Sequence, residues 1–94
     1  MAAGDFTIDT GSPRQQGNVY HLVGTIEVDE VPRAIAILPT SKVLLDCMVV
    51  DTDGVGSANV NINQNAAGTA TNGSLRAFGN HQAVETYRFV AHFI

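Results

Sequence analysis

The sequence has no tryptophan, a single cysteine and only five basic residues. Each scarcity removes a class of function. With Cys47 alone, an intrachain disulfide is excluded, and the chain fits synthesis in a reducing compartment. Cys47 lies in the most apolar stretch, where a free thiol behaves as a small buried hydrophobe. No base or orienting group stands beside it in the sequence to make it a nucleophile. The bases Arg14, Arg33, Lys42, Arg76 and Arg88 are scattered, and nine acids outweigh them to a net charge of −4. Binding to nucleic-acid phosphates rests on clustered Lys and Arg that displace counterions, so no nucleic-acid partner is expected. The opening MAAGDFTIDTG has neither a basic head nor an apolar run of signal-peptide length, so no export is expected. The apolar runs fall far short of the ~20 residues that span a bilayer, and no membrane partner is expected. With no Trp and two Tyr, a carbohydrate-binding platform of exposed aromatics has little to be built from.

What the sequence does contain is strand chemistry. Charged residues make up 15%, and Val, Ile, Thr and Asn fill their place, a mix that suits pleated strands and turns. Alternation is clearest in Val19–Asp29, where Tyr20, Leu22, Ile26 and Val28 form the core face and Gly24 marks a bulge, bend or close approach. It recurs in the final stretch, residues 83–94, where Tyr87, Phe89, Ala91 and Phe93 share a face. Shorter strands are expected at Asp5–Asp9, Ala34–Leu38 and Ser74–Phe78, the middle one with a single helical turn as the alternative. The Asn72-Gly73 pair reads as a turn. Residues 1–18 are expected to be either a first strand held by a sheet or an extended arm reaching a neighbouring subunit. The whole predicts one all-β domain over residues 1–94, a small antiparallel sandwich or jelly-roll-like barrel of about six to eight short strands.

The stretch from Lys42 to Asn63 reads as two strands joined by a tight reversal. Val43, Leu45, Cys47 and Val49 are expected on one face of the first strand, and Leu44, Asp46, Met48 and Val50 on the other. Apolar character on both faces predicts that both are covered, by a second sheet or by another subunit. In the second strand Ala58, Val60 and Ile62 alternate with Asn59, Asn61 and Asn63. Between them DTDGVGS places Asp51 and Asp53 two apart, as at the start of a calcium loop. A helix-flanked calcium loop needs further oxygen ligands and a closing Glu, and none follows until Glu85. The residues favour an Asp-Gly turn and no metal. His21, His81 and His92 are dispersed, without a second ligand at a useful spacing. No constellation of nucleophile, base, metal or cofactor appears, so neither an enzyme nor a cofactor is expected.

The opening MAAGDFTIDTGSPRQQGNVYHLVGTIEVD resembles the start of small tailed-bacteriophage virion proteins. Those open with a GD-x-T-I strand, here Gly4–Ile8, then a turn, then a strand ending in G-T-x-x-x-D, here Gly24–Asp29. ATNGSLRAFG resembles their Asn-Gly turn followed by a short strand, and the aromatic final strand is similar too. The resemblance implies a head decoration or cement protein: a structural protein on the capsid surface, made in the host cytoplasm, acting as a dimer or trimer that bridges major capsid proteins. A tail or neck component is the alternative in the same setting, and a ligand- or carbohydrate-binding β module or a calcium-dependent adhesion module outside it. Phe6, Ile8, Phe78, Phe93 and Ile94 are the expected interface residues, the last two because the chain stops on an apolar residue inside a strand.

Overall fold

The final strand, β8 (Glu85–Phe93), alternates as its sequence predicts: Tyr87, Phe89, Ala91 and Phe93 are buried, while Arg88 and Val90 are exposed. This computed structural model describes residues 2–54 and 56–94. β8 is flanked on one side by β3 (Val19–Val28) and on the other by β5 (Leu44–Asp51), both antiparallel. β1 (Phe6–Ile8) and β2 (Arg14–Gln16) lie end to end along the far edge of β3. Together they make sheet A. Sheet B has the order β4 (Arg33–Ile35), β7 (Ala70–Gly79), β6 (Ala58–Gln64). The chain is therefore all-β, two antiparallel sheets packed as a sandwich. Its shortest dimension is 18 Å, as expected of two sheets stacked ~10 Å apart with side chains outside.

One core lies between the sheets. Leu22, Ile26 and Val28 from β3 and the four β8 residues meet Leu75 and Ala77 of β7, Ile35 of β4, Ile37 and Leu44. The short run after Pro32 thus contributes two isoleucines, one in β4 and one just beyond it. Gly24 sits at a close approach in sheet A. A Cβ there would overlap the Thr7 carbonyl oxygen and press on the Phe89 ring, so the close-approach reading of this glycine holds.

Of the N-terminal segment, open between a docked strand and an arm, residues 4–16 lie along β3. Beyond the pairing of β1 and β2, Gly4 N–H donates to Glu27 C=O, Glu27 N–H to Asp5 C=O and Asp9 N–H to Val23 C=O. The Ser12 hydroxyl accepts from Val23 N–H at 2.9 Å in the gap between the two short strands. This edge of the sheet is thereby occupied along its length.

Two expectations are corrected. The first is the hairpin over Lys42–Asn63. β5 pairs with β8 in sheet A and β6 with β7 in sheet B, so the DTDGVGS segment carries the chain from one sheet to the other. β8 pairs with β5 from Leu44 to Asp51, and the inward side chains Leu44, Cys47 and Val49 join the core that Val60 and Ile62 also pack against, so ANVNIN lies across from β5 rather than beside it. The second is the Asn72-Gly73 turn. Both residues lie inside β7, and the reversal between β6 and β7 falls at Asn65–Thr69, where Asn65 N–H donates to Thr69 C=O and the Asn65 side chain accepts from Ala67 and Thr69 N–H. Gly73 does use its left-handed freedom (φ 81°), but to let the strand pass close to the Leu38 and Pro39 carbonyls.

Asn63 departs from the alternating asparagine face. It is the one non-glycine residue with positive φ (57°) among those described, at a bulge between Ile62 and Gln64. Asn tolerates that conformation better than most residues. Its side chain turns toward sheet A: Oδ1 accepts from Leu44 N–H at 3.0 Å and from Gly73 N–H at 3.2 Å, and Nδ2 donates to Leu44 C=O at 2.8 Å. Asn59 and Asn61 are exposed. Asn63→Ala strands both Leu44 backbone groups and is expected to lower stability by about 2–4 kcal/mol, whereas Asn61→Ala stays within about 0.5 kcal/mol. Urea denaturation of the two variants checks this; equal effects would contradict it.

Candidate functional site

A β-bulge decides what β5 shows to solvent. Leu44 is paired with Phe93 and Asp46 with His92, leaving Leu45 as the extra residue. The bulge reverses the expected faces at its start. Leu44 is buried, Cys47 and Val49 pack against the core, and Leu45, Asp46, Met48 and Val50 are exposed. The inner face is covered by sheet B, and the outer face is bare in the single chain.

The register then sets out this outer face in rows. Arg14, His21, His92 and Asp46 form one; Val23, Val90 and Met48 form the next; Thr7, Thr25, Arg88 and Val50 form the third. Met48 is 72% exposed, Val50 67%, Leu45 47% and Val90 40%. Apolar side chains this exposed and this contiguous are uncommon on a surface that meets only water. Val50 apart, the flanking rows are polar, and several of their side chains are paired. His92 Nδ1 lies 2.6 Å from Asp46 Oδ1, the His21 ring stands edge-on to His92 at 4.3 Å, and Arg88 makes two bonds to Asp9, the shorter 2.6 Å. The hydrogen-bonded Arg88 guanidinium holds the Asp9 carboxyl below the usual carboxylate range. An apolar centre with a polar rim is the anatomy of a protein contact surface. β5 is also the edge of sheet A, with no strand on its other side among the described residues.

The five expected interface residues do not assemble into one patch. Phe6 is 40% exposed on β1, opposite Ile26, and Ile8 packs against the core. Phe78 is half-buried in sheet B beneath the Arg76 guanidinium, 4.9 Å from its ring centre. Phe93 is 4% exposed and stacks on Tyr20 at 5.0 Å. Ile94 is 54% exposed, and its N–H donates to Val43 C=O. The apolar chain end is thus docked in its own sheet. The exposure of Leu45, Met48 and Val50 corrects the expected double cover of this run, since within the chain only its inner face meets a second sheet.

A second cluster lies where β5 ends and β8 begins. Asp51 and Tyr87 are register partners, which sets Glu85 beside the Asp51–Asp53 loop. Ligand atoms of Asp51, Asp53 and Glu85 all lie within 4.8 Å of one another. The glutamate missing from the local motif is thus supplied by the last strand. Pairing of β5 with β8 is the signal that would have found it. Asp51 is 8% exposed and accepts from Asp53 N–H and Gly56 N–H, both at 2.8 Å. The Asp53 amide chiefly holds its carboxyl below the usual range; the adjacent Asp51 carboxyl and burial push Glu85 above it. Tyr87 is pushed up by burial and by these two acids. His81 Nδ1 lies 2.9 Å from the Ala83 carbonyl, which only accepts. The proton of the neutral ring is therefore on Nδ1, and Nε2 accepts from the Tyr87 hydroxyl at 2.7 Å.

Cys47 is half-buried, and its thiol is pushed up to about 12 by desolvation and by Asp46. Comparison with protein-family models, curated proteins and solved structures finds no match to this chain.

Two outcomes follow from these shifts. Because the folded-state pKa of Glu85 is raised, its proton favours the fold below the unfolded value, and that contribution is lost as pH rises through the folded one. Glu85→Gln is therefore expected to melt higher than the parent at pH 7 in metal-free buffer, with the gap narrowing as pH falls toward 4; thermal denaturation across that range checks it. Cys47 is expected to react with a thiol reagent at pH 8 at least about tenfold more slowly in the folded chain than in urea, since the thiolate is the nucleophile.

Proposed function

We propose that this chain is a structural virion protein that decorates and stabilises the capsid of a tailed phage, docking on the major capsid protein through the outer face of sheet A. The observation that carries the docking half is the exposed apolar group Val90, Met48, Val50 and Leu45, with half-buried Val23 in register beside Val90, at the open edge of the sheet. The capsid half rests on the resemblance carried by Gly4–Ile8, Gly24–Asp29 and the ATNGSLRAFG segment. The two agree on the kind of work done: burying apolar surface across a seam between proteins, at roughly 25 cal/mol per Å² removed from water. A dimer or trimer bridging capsomers belongs to the same reading.

The test is co-sedimentation with purified expanded capsids of the phage that encodes the protein. Met48→Asp places a charge at the centre of the row without touching the core and is expected to weaken binding by at least about thirtyfold, the cost of losing a central contact residue. Phe6→Ser, at the opposite edge of the sheet, is expected to leave binding within about threefold. Undiminished binding by a folded Met48→Asp would overturn the assignment of this face, and failure of the parent protein to bind capsids would overturn the decoration reading.

A further inference from the structure

The open edge of sheet A carries unpaired backbone. In an antiparallel pair, alternate residues of a strand bond to the neighbour and the others point away from it. Thr52 N–H donates to Thr86 C=O, and in the same alternation Val50 stands opposite Arg88 and Met48 opposite Val90. Met48 and Val50 therefore bond to β8. The backbone groups of Cys47 and Val49 point to the open side, where no strand lies among the described residues. Asp51 faces the same way, its carbonyl already accepting from Gly54 N–H. At the other end of β5, the Asn63 amide closes off Leu44. The free stretch thus runs from Cys47 to Asp51, and such a row is a template for another strand.

We propose that a second copy of this chain fills this edge: the two β5 strands pair antiparallel about a twofold axis at Val49, and sheet A runs on from one copy into the other. The stretch is complementary to itself. With Val49 opposite Val49 of the second copy, Cys47 falls opposite its Asp51, so each free residue meets another. On the outer face Met48 then falls opposite Val50 of the second copy, an apolar pair at the closer spacing of about 4.5 Å between Cα atoms. Asp46 falls opposite Thr52, so no like charges meet. A shift of two residues either way sets Asp46 against Val50 or Met48 against Thr52, and leaves Asp51 or Cys47 without a counterpart. The strand ends are complementary too. Lys42, just before β5, has no acidic ion-pair partner, and Asp51, Asp53 and Glu85 at the far end have no Lys or Arg ion-pair partner, among the described residues. Antiparallel pairing carries Lys42 of each copy toward the acidic end of the other, which favours this orientation. A twofold interface is closed, so it selects a dimer where the docking reading leaves dimer or trimer open. The axis stands normal to the sheet, so both Met48 rows lie on one outer face, and the proposed docking surface is doubled rather than consumed. The pairing does not rest on the capsid, and either inference can fail without the other.

Sedimentation equilibrium of the full chain across the micromolar range is expected to show a monomer–dimer equilibrium. A monomer throughout, or a trimer, would overturn the proposal. Disulfide cross-linking in a Cys47→Ala background reads the register, using Met48 and Val50 because both are exposed and neither substitution disturbs the core. Mixed Met48→Cys and Val50→Cys chains, oxidised with copper phenanthroline, are expected to form a covalent dimer at least about tenfold faster than either chain alone, since Cα atoms ~4.5 Å apart suit the bond. Faster cross-linking of either chain alone would overturn the register, and equally slow cross-linking of all three samples would overturn the β5 edge. Capsid binding is read separately: a dimer that does not bind capsids supports this inference and not the docking face, and a monomer that binds them does the reverse.

Discussion

The side-chain amide of Asn63 fastens the two sheets at one edge of the sandwich. It occupies both backbone groups of Leu44 at the start of β5 while its own backbone belongs to β6. Two other features depend on that attachment. The left-handed turn of Asn63 is matched by the bulge opposite it in β7, where Gly73 also bonds to the same oxygen. And Leu44, held from the side, points into the core while the next residue, Leu45, is pushed out. From there the alternation of β5 is fixed: Cys47, Val49 and Asp51 inward, Asp46, Met48 and Val50 outward. One amide and one bulge thus determine which apolar side chains the molecule hides and which it displays.

The two edges of sheet A are treated differently. Along β3, residues 4–16 occupy the edge with two short strands, the Ser12 hydroxyl and single backbone bonds. Along β5 no strand follows among the described residues, and the adjoining outer surface shows Leu45, Met48, Val50 and Val90. Natural sheets commonly blunt an exposed edge with charge, proline or a bulge. Here Asp46 and the bulge at Leu45 lie at one end, while Met48 and Val50 remain. That asymmetry is what makes the β5 side, rather than the chain end or the N-terminal segment, the surface on which the proposed docking is argued.

Much of the fold was legible because the core-facing positions of β3 and β8 alternate. Tyr20, Leu22, Ile26 and Val28 in β3 and Tyr87, Phe89, Ala91 and Phe93 in β8 fall on the inner face as their spacing predicts. Gly24 was readable as a bulge, a bend or a close approach, and only its neighbours Thr7 and Phe89 decide for the last. What was not legible depends on pairing. Nothing local in KVLLDCMVV says that its partner is the final strand rather than ANVNIN, and a single bulge exchanges Leu44 and Leu45 between faces. Asn-Gly signals a turn by its tolerance of positive φ, and at Gly73 that same tolerance serves a kink inside a strand. The acidic site was half legible: Asp51 and Asp53 stand out, but Glu85 is far off in sequence and comes to them only through the β5–β8 register. The outer row of Val23, Val90 and Met48 draws one residue from each of three strands, so no stretch of sequence contains it.

The central claim is that the outer face of sheet A is where this protein meets its assembly. Electron cryomicroscopy of the purified particle reads that orientation directly. The account predicts density in which Met48, Val50 and Val90 lie against the shell and the exposed Asn59 and Asn61 of sheet B face solvent. A map in which sheet B contacts the shell and the Met48 row is open to solvent would contradict it.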